Sequence, residues 1–175
     1  MLRGVLGAAL AAAALTAVAA ATASTSSAPE IRGRPILEAK VLVEVNALRV
    51  SHGLQPLRPS RELAAAAGQH SLEMVQDGYF EHKGLGSSYA RRLASYYPVG
   101  SHRRWLVGEN LVWGSPTLSA REAVRLWLHS PEHRANLLRR SWREVGVSAV
   151  HAPAAPGVFQ GLDVTVITLD FGRRK

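Results

Sequence analysis

The sequence predicts an α+β sandwich built on an antiparallel sheet, and three observations predict it. Apolar residues recur at helical spacing, between recognisable caps, from Ile36 to Leu138. Strand-like runs enter only after Glu144, and no internal repeat interrupts this helices-first, strands-late order. The chain has 175 residues, enough for one domain with a real core, and no cysteine. The missing cysteines exclude a disulfide framework, a Cys-ligated zinc site, a thiol nucleophile and a lipidated cysteine anchor.

Taken in order, Met1-Leu2-Arg3 gives a positive start, and Gly4 to Ala20 carries no charge and one polar side chain, Thr16. Ala21-Thr22-Ala23 supplies an A-x-A cleavage pattern ahead of Ser24-Thr25-Ser26-Ser27. Residues 1–23 therefore read as a secretory signal peptide cut after Ala23. A retained anchor is the other reading, since the segment is about long enough to span a bilayer, but alanine has little preference for lipid. Either way the remainder is expected outside the cytoplasm, secreted, and not an integral membrane protein once the leader is cut. Residues 24–35 are a small, polar linker, and residues 36–175 form the folded domain.

A first helix is expected over 36–50, from Ile36, Leu37, Val41, Val45 and Leu48, with Gly53 at its C-terminal end. Ser60 caps a second, whose inner face holds Leu63, Ala66, Ala67, His70, Met74 and Val75 and which Gly78 ends. Ser88 to Tyr97 is a short third helix, stopped by Pro98. Ser119 and Glu122 form a capping box opening a fourth through Leu126, Trp127 and Leu128. Ser130-Pro131 breaks it and starts a fifth, with Ser130 as N-cap and Pro131 in its first turn. Glu144–Val150 and Val164–Phe171 are strands, with Pro153, Pro156 and Gly157 in the loop between them. Leu63, Met74, Leu126 and Trp127 are expected in the core, and His70 as a satisfied interior histidine.

The charge balance is strongly basic, +8 overall and +7 once Arg3 leaves with the leader. Export argues against nucleic acid as partner, and the arginines come as scattered pairs without interleaved aromatics. An anionic polymer of the cell envelope is the better partner for such a surface. Missing cysteines with an Ala- and Arg-rich composition point to a bacterial chain, and a monomer is expected.

Four segments carry a further reading: Val45-Asn46-Ala47-Leu48-Arg49 with Gly53-Leu54; Gly78-Tyr79-Phe80-Glu81-His82; Val107-Gly108-Glu109-Asn110-Leu111; and Ala123 to Leu138 with Trp127, Ser130-Pro131-Glu132-His133-Arg134-Ala135-Asn136. Glu144-Val145-Gly146-Val147 closes the set. In this order they resemble the CAP superfamily (cysteine-rich secretory proteins, antigen 5, pathogenesis-related 1), in its cysteine-free bacterial, SCP-like form. The resemblance implies an α-β-α sandwich with a central groove holding two histidines and two acids. His82, Glu109 and His133 match three of these, and Ser130 stands where the second acid is expected.

Two imidazoles and a carboxylate can hold a divalent metal such as zinc and leave a position for water. Such a metal would be optional, not required for folding. The duller readings are a histidine bonded to a backbone carbonyl and a carboxylate receiving loop N–H groups. Asn110 and Asn136 read as backbone-bonding supports, Arg134 as pairing with a nearby acid, and Ser130 and Glu132 as groove neighbours. Neither H-E-x-x-H nor G-x-S-x-G is present. The sequence therefore points first to a secreted, non-catalytic binding module, then to a metal-dependent envelope hydrolase, then to a basic structural component of a wall or spore coat.

Overall fold

The computed structural model describes residues 30–84, 86–101 and 105–175. The leader and the first half of the linker, residues 24–29, lie outside the described residues. Helix α1 (Pro35–Ser51) buries Val41, Val45 and Arg49, a stripe at four-residue spacing. Gly53 then takes a left-handed conformation (φ 66°), as a C-terminal glycine should. In α2 (Arg61–Asp77) the Ser60 hydroxyl accepts the Leu63 N–H at 3.3 Å, and Gly78, also left-handed, closes the helix. Ser88 caps α3 (Tyr89–Tyr96). Both halves of the Ser119–Glu122 capping box are present at the start of α4 (Ala120–His129). Ser130 stands at the N-cap of α5 (Pro131–Leu137) with extended backbone, but its side chain makes no cap bond.

The sheet runs in the order β1 (Arg32–Gly33), β4 (Glu144–Ala155), β5 (Leu162–Arg174), β3 (Trp105–Gly114). All of these pairings are antiparallel; the two-residue β2 (Arg58–Pro59) joins the start of β4 in parallel. Three points differ from the sequence reading. Strand β3 shows no alternation, because Gly108 to Val112 are all buried, and a strand covered on both faces loses the period-two signal. Strand β4 runs past Pro153, through an irregularity between Ala152 and Ala155. Leu126 is 42% exposed, since Ala123, Val124 and Trp127 take the inward face of α4.

Helices cover both faces of the sheet, which makes the α-β-α sandwich. Ile167, Leu169 and Phe171 of β5 pack with Val41, Val45 and Trp127 on one side. Val164 and Val166 pack with Met74 and Val75 on the other. The approach of α2 to β4 is so close that a Cβ on Gly146 would lie 2.1 Å from the Ala64 nitrogen and the Leu63 carbonyl carbon. Both obstacles are backbone and cannot rotate away. Gly146→Ala is therefore expected to destabilise by about 3 kcal/mol, the upper end for overpacking. Chemical denaturation showing wild-type stability would mean the two layers sit farther apart.

Candidate functional site

The site forms at β3, the edge strand of the long sheet path, where α3 and α5 approach from opposite faces. Successive side chains of β3 point to opposite sides, so Glu109 turns toward α3 and Asn110 toward α5. Asn110 Nδ2–H donates to the His133 carbonyl at 3.0 Å. Asn136 Nδ2–H donates to both the Glu109 carbonyl and Asn110 Oδ1 at 3.0 Å. The Trp142 indole in turn donates to the Asn136 carbonyl at 2.9 Å. The two asparagines thus clamp α5 to β3, as expected of them. Gly108 makes this possible, because a Cβ there would meet Trp142 Cζ2 at 2.7 Å and Asn136 Oδ1 at 2.9 Å.

Glu109 is almost fully buried, and both its oxygens are taken. Oε1 accepts from His82 Nδ1–H at 2.8 Å, and Oε2 accepts from an Arg92 guanidinium nitrogen. Arg92 also lies 3.7 Å from Asp170 Oδ1, and Asp170 faces Glu109 directly across the β3–β5 ladder. His70 stands 3.9 Å from Glu109 Oε2, but its Nε2–H donates to the Glu81 carbonyl at 2.9 Å. It is the satisfied interior histidine the sequence suggests, with no charge to pair.

His82 is half exposed, its ring 6.3 Å from that of His133 and 6.4 Å from that of Tyr89. A shallow groove of about 270 Å³ is lined by His82, Tyr89, Gly108, Glu109, Asn136 and Arg139. Larger depressions include one of about 490 Å³ between Gly33–Leu37 and Thr117–Ala120 and a polar one of about 350 Å³ lined by Gln69, Glu73, Ser87, Arg92, Ser95 and Tyr96, but neither is lined by His82, Glu109 or His133. The structure therefore assembles His82, Glu109 and Asn136, with Asn110 and His133 behind them. Ser130, Glu132 and Arg134 do not line the groove; Arg134 is exposed beside Leu128, Pro131 and Leu138 and makes no ion pair among the described residues.

As placed, these side chains fit a divalent metal poorly. A ligating carboxylate needs an accessible lone pair, and Glu109 is almost fully buried with each oxygen already bonded, one of them to a cation. Among the described residues no group of three or more His, Asp or Glu is arranged to hold a metal ion.

A family model of the cysteine-rich secretory protein family, CAP, matches residues 42–169. The chain belongs to the CAP family. It is 30% identical over 115 residues to the uncharacterized protein YkwD of Bacillus subtilis, covering 66% of this chain and 43% of that protein. It is 31% identical over 112 residues to the uncharacterized membrane protein YlbC of the same organism, covering 63% and 30%. The chain thus spans less than half the length of the curated relatives it matches. Among solved structures, an outer surface protein of Borrelia burgdorferi superposes with a TM-score of 0.68 at 20% identity, covering 85% of this chain and all of that one. An extracellular SCP-domain protein of Bacillus anthracis superposes at 0.61 and 25% identity, covering 79% and 41%. Among the described residues no helix is long and apolar enough to cross a membrane.

Sequence reasoning missed Arg92 and Asp170, the two groups that set the electrostatics of this CAP groove. Asp170 lies fully buried, and neither oxygen has a hydrogen-bond partner among the described residues. Burial, and then the charge of Glu109, push its carboxyl well above the usual carboxylate range, against the pull of Arg92. One cation flanked by two acids is balanced when one acid is neutral, and Asp170 is that acid. The signal for Asp170 in the sequence was a single charge in the otherwise uncharged strand run Val164–Phe171.

The consequences for stability have definite signs. Because the folded state holds the Asp170 proton more tightly, its contribution is full at low pH and is lost as pH rises through the raised value. The stability of wild type relative to Asp170→Asn should therefore increase between pH 7.5 and 4.5 in urea titrations; a constant difference would show that Asp170 titrates normally. His70 and His133 act oppositely. Burial lowers both, with Glu109 opposing and Arg92 aiding at His70, and His82 aiding at His133. Their contribution is present above about pH 6.5, where the unfolded imidazoles begin to take up protons, and is lost as pH falls from there through the lowered folded values.

Proposed function

We propose that this CAP domain acts outside the cytoplasm as a binding module, that its recognition site is the groove along β3, and that it catalyses nothing there. The observation that carries this reading is that each oxygen of the buried Glu109 is already bonded, one to His82 and one to Arg92. A carboxylate bonded to both His82 and Arg92 is a fixed structural anion, poorly suited to serve as a free base or a metal ligand. The secretory pattern of residues 1–23 and the extracellular and outer-surface relatives support the location. N-terminal sequencing of exported protein should begin at Ser24 or within a few residues of it; an intact Met1 in the membrane fraction would mean a retained anchor.

The 2.8 Å bond between His82 Nδ1 and Glu109 favours one second reading, an envelope hydrolase. A carboxylate-oriented imidazole leaves Nε2 free to bind zinc or to take a proton from water. Calorimetric zinc titration of wild type, His82→Ala and His133→Ala separates the two. The binding-module reading expects the same weak heat from all three and no release of soluble fragments from purified cell wall. Zinc affinity that is lost in both variants and falls below about pH 6.5, as the imidazoles protonate, together with wall hydrolysis, would establish the hydrolase instead.

A further inference from the structure

We propose that the arginine-rich turn between α5 and β4 is a docking surface for a phosphate-bearing anionic polymer. This surface is distinct from the groove of the binding-module reading, and the proposal rests on that reading only in placing the chain outside the cytoplasm. Residues 134–143 contain Arg134, Arg139, Arg140 and Arg143 and no acid. The fold adds Arg58, whose N–H donates to the Arg143 carbonyl at 3.0 Å, and Arg173, next to Gly172, whose carbonyl accepts the Arg143 N–H at 3.1 Å. Arg58, Arg139, Arg140 and Arg143 are exposed. None of these six arginines makes an ion pair with a carboxylate among the described residues. Of the nearby acids, Glu62 is paired with Arg174, and Glu144, beside Arg143, accepts from the Tyr97 hydroxyl and is the one acid flanking the turn on the β4 side.

Two of the guanidinium groups, those of Arg139 and Arg143, are held by neutral partners, which order them without cancelling their charge. Arg143 Nη1–H donates to the carbonyls of Arg140 at 2.8 Å and Trp142 at 2.7 Å. Arg139 lies 4.9 Å over the Trp142 ring, and its Nε–H donates to Ser141 Oγ at 3.1 Å. Beneath the turn, the fully buried Arg49 donates to the carbonyls of Leu137 at 2.6 Å and Arg139 at 3.2 Å. Burial, and then the charge of Arg143, lower the Arg49 pKa.

Pre-ordered guanidinium forks suit phosphate, which they bind bidentately with little further entropy loss. A membrane surface fits less well, because insertion needs exposed apolar groups. Here the large ring, Trp142, is 1% exposed, and the exposed large apolar side chains all lie outside residues 131–145.

The test measures binding of the exported protein to long-chain inorganic polyphosphate between about 50 and 300 mM salt, beside vesicles of phosphatidylglycerol and phosphatidylcholine. Affinity for polyphosphate should fall linearly with salt on logarithmic axes. Arg140→Gln with Arg143→Gln should weaken it about tenfold at the lowest salt and reduce the slope by between one and two. The charge-matched pair Arg121→Gln with Arg125→Gln, exposed on α4, should stay within about twofold, with thermal melts confirming that both fold. Equal losses from the two pairs, stronger binding to the vesicles, or no binding would overturn the proposal. His82→Ala separates this surface from the groove: binding lost with His82→Ala but kept with the Arg140/Arg143 pair overturns the docking surface and supports the groove. The reverse supports the docking surface and leaves the groove to the zinc experiment.

Discussion

Replacing Arg92 by methionine is expected to cost about 3–5 kcal/mol, the loss typical of breaking a buried ion pair from one side. The Arg92 side chain is 4% exposed and stands between Glu109 and Asp170. Methionine fills much of the volume but leaves two carboxyl groups opposed across β3 and β5 in a poorly solvated interior. The fold must then bury an unpaired anion or bind an extra proton. The penalty should accordingly shrink as pH falls from 7.5 to 5, because protonation removes the uncompensated charge. Adding Glu109→Gln should recover part of the loss, since it removes the orphaned partner. Urea denaturation of the single and double variants at both pH values measures all three effects. A loss below about 1 kcal/mol, independent of pH, would mean that solvent reaches the cluster and that Glu109 is not held as described.

Trp127→Ala is expected to cost a similar 3–5 kcal/mol, through a different mechanism. Trp127 is 1% exposed and packs where α1, α4 and the sheet meet, and its indole N–H donates to the Leu111 carbonyl at 2.9 Å. Truncation opens a cavity among side chains that belong to three elements and cannot all close on it. Trp127→Phe separates the contributions, because it keeps most of the packing and loses the hydrogen bond, worth about 1 kcal/mol. Trp127→Ala within about half a kcal/mol of wild type would be typical of a surface residue and would contradict this packing. Neither substitution touches the arginine turn, so polyphosphate binding per folded molecule should be unchanged.

The groove explains why the residue set and its arrangement lead to different chemistry. Two histidines and a glutamate in the expected order read as a ligand set. In the fold, a guanidinium from α3 occupies one oxygen of that glutamate and His82 the other. A single cation therefore turns a candidate ligand into a structural anion. Ser130, in the position of a second acid, stays at the N-cap between α4 and α5 and adds no charge to the groove.

Much of the helical layer was determined by the sequence alone. The Ser60 and Ser119 caps, the Gly78 stop and the Ser130-Pro131 break all act within about four residues of themselves, so reading them needs no tertiary information. The order of the Gly108-Glu109-Asn110 segment, the Trp127 helix and the Glu132–Leu138 run likewise identified the family and hence the sandwich. Tertiary structure decided the rest. Strand β3 is covered on both faces, which erases its alternation, and Leu126 lost its place in the core to the rotation of α4 against the sheet. Arg92, Glu109 and Asp170 come from α3, β3 and β5. Which of a buried cation and two acids holds the proton depends on their separation in a low-dielectric interior, and only packing three separate elements together sets that separation.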